Sequence, residues 1–489
     1  MNNPQTSADR TSQFGEESIF RLLIRYSLPS IVAMLVSATY NTINMSFVGR
    51  SVGPLGIAAI AICMPIMMIQ SCLISLFGNG CSAGVAIRLG QGDREGARAL
   101  LGSAVAFNQI VAAINVIVGL SFIDPILRAF GASDAILPLA KDYLFITICG
   151  MFFSAFGPLN PMMRIEGFPR RAMITQLLGT LVNLIFAPTF IFVFHWGIRG
   201  AALGTFCAQL ASSTWIFTFL IRKERVVGLK WKYVRLRFDH LRYTMQLGMP
   251  NFLMQISQSL LSVTLNRNLL AYGGDIAMSA FGITNNIDML ISQPVFGFNQ
   301  GAQPIIGYNI GAKNYARVKQ AILFSLGTAM FFSTIGWLLT RLFPGQIFAF
   351  FNNDPELIAV GTRMMLIFRA LLFVVGFQQM GAAYFQFAGM PKISIVLTLS
   401  RQVLILLPCI VIMSRLFGFD GILYSGPIAD FTSSALTGFF ILREIRRLDK
   451  LVREQESGAE AAAVPGTETS AVPEPEALPE TASEREGRQ

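Results

Sequence analysis

The sequence predicts an all-α polytopic membrane protein: twelve spanning helices in two pseudo-symmetric six-helix lobes. Three observations lead there. Of 489 residues, 53% are hydrophobic and only 13% charged, where a soluble chain carries about 25% charged residues. The apolar residues gather into stretches of membrane length. The stretches before and after a basic connector, 222–242, resemble each other in order.

Residues 1–13 are polar and read as a disordered N-terminus, and no cleavable signal peptide is evident. The first lobe, 14–221, holds candidate spans near 26–48, 55–82, 99–123, 139–163, 172–195 and 198–221. The connector carries eight Lys or Arg against Glu224 and Asp239. The second lobe, 243–453, holds spans near 243–270, 276–305, 316–343, 358–388, 393–416 and 420–443. From residue 454 to 489 the chain is rich in Ala, Glu, Pro, Ser and Thr. Such a segment buries too little apolar surface to fold and reads as a disordered acidic tail.

Charge placement sets the expected orientation. With the N-terminus inside, 26 Lys or Arg fall on the cytosolic side and 7 on the other. That is the bias expected of a plasma-membrane protein with both termini in the cytosol. The net charge of +10 therefore does not point to nucleic acid. The expected partner of the apolar faces is membrane lipid.

Enzyme chemistry finds no support. The six cysteines sit in apolar segments without a CxxC pair, and His195 and His240 lie far apart. Phosphate-binding glycine loops, Walker sequences and HExxH are missing, so ATP-driven transport and metal hydrolysis are not expected.

Five matches carry the repeat. Pro29 matches Pro250, Gly53 matches Gly274, and GDREGAR from Gly92 matches GAKNYAR from Gly311. Gly167 in GFPR matches Gly389 in GMPK, and Gly197 in GIRG matches Gly418 in GFDG. The offsets lie between 219 and 222 residues. Halves with an even number of spans share one topology and are related by an axis along the membrane normal.

Charge inside the spans marks candidate sites. Asp288, Arg369, Arg401 and Asp430 all lie deep in apolar segments. One reading pairs Arg401 with Asp430 and Arg369 with Asp288. The other lets a carboxylate bind a proton, sodium or a cationic substrate. Asp288 is favoured for that role, because Asn285 and Ser292 share its helix face and that stripe is expected to line a cavity. Gln255, Gln258, Gln378 and Gln379 are candidates to bond substrate, or to bond between helices. Glu166 is expected to pair with Arg164, Arg170 or Arg171.

Taken together, YNTINMSFVGRSVGP (Tyr40–Pro54), RLGQGDREGAR, RIEGFPRRAM, GIRGAALGT, FGFNQGAQPIIGYNIGAKNYARVK and FQFAGMPK resemble the MATE family of multidrug and toxic compound extrusion transporters. NQGAQPIIGYN, SRQ (Ser400–Gln402) and PIAD (Pro427–Asp430) look most like its MepA-type branch. The resemblance implies a V-shaped antiporter without a resident cofactor. As a monomeric chain it would export small amphipathic, often cationic compounds against inward proton or sodium movement. It also implies a cation site at the family motif Tyr-Asn-x-x-Asp, matched here by Tyr40, Asn41 and Asn44. Asn44 replaces the acid, and Ala187 stands where the family reads Leu-Asp-Pro. Neither residue can carry a proton. Two alternatives follow: a flippase for a lipid-linked precursor, which would have a basic central cavity, and a non-transporting membrane sensor.

Overall fold

Every secondary-structure element among the described residues of the computed structural model is helical. The structure describes the backbone of residues 7–222 and 225–463, and their side chains except at 7–10, 40–54, 57 and 458–463. The helical run Ile19–Gly90 carries the first two spans, α1 (Ile19–Thr39) and α2 (Ala58–Gly90). Next come α3 (Arg94–Ser121), α4 (Leu137–Ile165), α5 (Pro169–Val193) and α6 (Gly197–Leu220). The run Phe238–Gly311 breaks at Gly274, φ 65°, into α7 (238–273) and α8 (275–311). After α9 (Tyr315–Leu342), α10 is a pair, Pro355–Phe368 and Leu372–Phe387, bent by 50°. The last run, 391–463, breaks at Gly418, φ 60°, into α11 (391–417) and α12 (419–463).

Eight described helices are long and apolar enough to cross a bilayer, and the bent α10 makes a ninth. The break at Gly418 turns one of them into two. The arms of Phe238–Gly311 complete the twelve, although Gln255, Gln258, Asn285 and Asp288 make that run less apolar.

Two segments differ from the sequence reading. Ser7–Glu16 is a helix, so 7–13 is not disordered. Phe14 anchors it, with its ring 5.2 Å from that of Tyr26 and 5.6 Å from that of Tyr308. Its carbonyl takes bonds from Asn309 Nδ2 and Arg317, both at 3.0 Å. At the other end α12 runs on to Ala463, so 454–463 is helical. Residues 464–489 lie outside the described residues.

The internal repeat is visible as contacts. A Cβ added to Gly90 would lie 1.9 Å from the Tyr308 carbonyl oxygen, and one on Gly311 would lie 2.0 Å from that of Ile87. Gly90 and Gly311 are 221 residues apart, as are Ile87 and Tyr308. Gly80 with Gly248 likewise corresponds to Gly301 with Ser27. Each contact thus has a counterpart with the halves exchanged, as a two-fold relation produces. This register corrects one sequence match. Gly311 corresponds to Gly90, so Gly92 (φ 79°) corresponds to Lys313 (φ 58°). The helix-capping Asp93 then aligns with Asn314, the residue before α9.

These glycine contacts hold the lobes together on the face that carries the connector. Helices approach this closely only where a side chain is missing. The apolar cores repeat the division. Leu22, Leu23 and Tyr26 of α1 belong to a core built mainly from the second half, and Tyr243 of α7 packs on the connector-face core of the first half. On the far face each half keeps its own core.

Candidate functional site

A cavity of about 840 Å³ lies between the halves, sealed on the connector face by the contacts just described. Both halves line it, and its chemistry is uniform. Ten glutamines and five asparagines contribute, among them Gln255, Gln258, Gln378 and Gln379. No Asp or Glu occurs among its described lining residues, and the only charged ones are Arg164 and Arg401.

Local backbone irregularities aim the polar groups. In α11, Ser400–Leu406 is a π-helical turn that contains Arg401 and Gln402. Pro408 follows and has no N–H to give to the carbonyl four residues back, which favours the wider turn. In α10 the bend falls at Arg369. The Ala370 carbonyl beside the bend is bonded by Trp337 Nε1 at 2.8 Å, so the break leaves it satisfied.

The four deep charges form two ion pairs in the second half. Arg369 pairs with Asp288. Arg401 Nε donates to Asp430 Oδ1 at 2.8 Å, with Asp430 only 3% exposed. The second oxygen of Asp430 has no partner among the described residues. The group is neutral as a whole, and Arg401 also belongs to the cavity wall.

The sequence-derived candidates therefore divide. Gln255, Gln258, Gln378, Gln379 and Arg401 line the cavity. Gln378 Nε2 also donates to the Leu397 carbonyl at 2.9 Å, and Gln255 accepts from Cys72 at 3.1 Å. Asp288 and Arg369, which pair with each other, and Asp430, which pairs with Arg401, lie behind the wall and do not line it. Asn285 is exposed and also outside the lining. The polar stripe of α8 thus marks an ion pair rather than a cavity wall. The side chains of Tyr40, Asn41 and Asn44 lie outside the described residues. Ala187 is buried, with its Cβ against Gly204. Among the described residues no cluster of His, Cys, Asp or Glu could hold a metal ion.

Sequence reasoning missed two features. Arg164, counted among the loop charges, is 2% exposed and faces the cavity. Glu166 does not pair with Arg164, Arg170 or Arg171. Its carboxylate accepts the backbone N–H groups of Val226 (3.1 Å) and Val227, fastening the connector to the first half. Arg98 Nε bonds the Val226 carbonyl at 2.9 Å, and the Arg225 guanidinium lies 4.3 Å from the Phe168 ring centroid. Burial pushes the Glu166 carboxyl up, and the two amides with Arg225 and Arg98 pull it back. Glu166→Ala leaves both amides without an acceptor, at about 1–3 kcal/mol each. Faster proteolysis at 222–230 is the expected result, with the helical content unchanged.

The MatE family profile matches twice, over residues 29–189 and again over 250–412. The chain belongs to the MatE family. Members are ion-coupled transporters, not enzymes, and hold no resident cofactor. The chain is 27% identical over 448 residues to the multidrug export protein MepA of Staphylococcus aureus strain NCTC 8325, covering 88% of this chain and 95% of that one. It is 25% identical over 434 residues to the MepA of Staphylococcus haemolyticus, with the same coverage. Among solved structures it is similar to a ligand complex of the MATE multidrug transporter DinF-BH. That match has 31% identity and a TM-score of 0.81, covering 88% of this chain and 96% of that one. An outward-facing multidrug resistance MATE transporter has the same fold, with a TM-score of 0.84 at 24% identity, covering 90% and 98%.

Proposed function

We propose that this MatE transporter exports amphipathic compounds from the cytosol by alternating access, with ion coupling placed in the second lobe. The lobes are 14–221 and 243–453, joined by a cytosolic connector. The excess of positive charge on the connector face supports cytosolic termini and a plasma-membrane location. The glycine contacts that close the connector face support an outward-open state for the conformation described.

One observation carries the coupling assignment: Arg401 is at once a wall residue of the cavity and the partner of Asp430. A proton or sodium ion reaching a carboxylate of this group competes with an arginine for it. Arg401 then shifts, and the cavity wall with it. Among the described residues the first lobe has no comparable buried ion pair, and Asn44 and Ala187 cannot ionise.

The test is dye flux in proteoliposomes with an imposed proton or sodium gradient. Flux in the wild type should follow one of the two gradients, and Asp430→Asn should remove that dependence. A gradient response that survives Asp430→Asn at equal protein content moves the coupling site elsewhere.

A further inference from the structure

We propose that the cavity selects amphiphiles carrying an anionic group, a carboxylate, sulfonate or phosphate, and that Arg164 is the residue that binds it. This rests on the transport reading and names its substrate class. Arg164 Nε donates to Ser30 Oγ at 3.0 Å and its Nη2 to Gln300 Oε1, while Nη1 has no partner among the described residues. None of the ion pairs found among the described residues includes it. A guanidinium buried this deeply is stable only with a counter-charge or a full set of acceptors. Its unpartnered, buried donor belongs to a residue that lines the cavity, where no carboxylate stands among the described residues.

The repeat sharpens the point. By the match of Gly167 with Gly389, the counterpart of Arg164 is Gln386, which also lines the cavity. Gln386 Nε2 donates to the Leu247 carbonyl at 2.8 Å and is satisfied. The two lobes therefore differ here by one positive charge, held on one side of a neutral amide-lined chamber. Glutamine and asparagine amides supply further donors for an anion's remaining oxygens, and the apolar parts of Met34 and Phe296 offer surface to the rest of the molecule.

The experiment compares two xanthene dyes of similar ring size, one anionic and one cationic, with purified full-length protein. Binding is read by fluorescence polarisation and transport by proteoliposome flux. The wild type should bind the anionic dye better. Gln300→Glu is nearly isosteric and places a carboxylate on the Arg164 guanidinium. It should fold at least as well, weaken anionic dye binding by on the order of tenfold and strengthen cationic binding. Arg164→Gln should reduce the anionic-to-cationic ratio similarly, and Arg164→Lys should retain part of it. Binding is repeated in micelles with and without phosphatidylglycerol. Competition by that lipid would identify a lipid headgroup as the occupant, and its absence a soluble anion. Cationic preference in the wild type, or a ratio unmoved by Gln300→Glu, overturns the proposal. If no dye of either charge is transported, the transport reading fails, while the binding arm still decides the anion site.

Discussion

Gly248→Val is expected to abolish net transport and to leave the protein folded but open on the connector face. A Cβ at Gly248 would lie 1.7 Å from the Leu76 carbonyl oxygen and 2.8 Å from its carbon. Both obstacles are backbone, so no side chain can swing aside. The two helices must separate, and the closed face is lost with them. Overpacking of this kind costs about 3 kcal/mol when backbone has to move. Placed on one side of a two-state equilibrium, that is roughly a hundredfold change in population. The penalty falls on the closed face alone, because the glycine meets α2 only there. Thiol labelling of a cysteine placed at Leu76 reads the result: protected in the parent, reactive in Gly248→Val. Gly327→Ala is the control, since nothing lies within 4 Å of a Cβ at that helical position. Normal flux in Gly248→Val would show that this contact does not gate the path.

The second large effect is expected from Asp430→Asn. It removes the partner of Arg401 and leaves a guanidinium, 15% exposed, without its counter-charge. Breaking a buried pair from one side costs about 3–5 kcal/mol. Replacing both members costs far less, because no charge is left alone. Arg401→Gln with Asp430→Asn should therefore recover most of the thermal stability that Asp430→Asn loses, yet not recover gradient-driven flux. That split separates the structural part of the pair from its coupling part. Equal melting of the single and double variants would show that Arg401 finds another acceptor.

The sequence made the spans readable because a bilayer imposes a length, and twelve apolar stretches meet it. It made the halves readable because Gly and Pro recur where helices end. The register around Gly92 was not readable. Two glycines two residues apart compete for the same match, and only the contact of Gly90 with Tyr308 decides between them. The ion pairs were legible as one of two readings, because charge deep in a span needs a partner. The position of the two carboxylates behind the cavity wall was not, since a polar stripe looks alike whether it faces a cavity or an arginine. Gln255, Gln258, Gln378 and Gln379 stood out as amides in apolar helices. Arg164 did not, because it precedes Arg170 and Arg171 and passes for one more loop charge. Only its burial sets it apart.

Alternating access about the glycine contacts is tested most directly by a distance. Spin labels on the connector-face ends of α2 and α8, near Ile87 and Tyr308, are measured in lipid with and without an ion gradient. Two populations are expected, one as close as the contact described here and one wider, with the gradient shifting weight between them. A single short distance under every condition, in protein that moves dye, would contradict it.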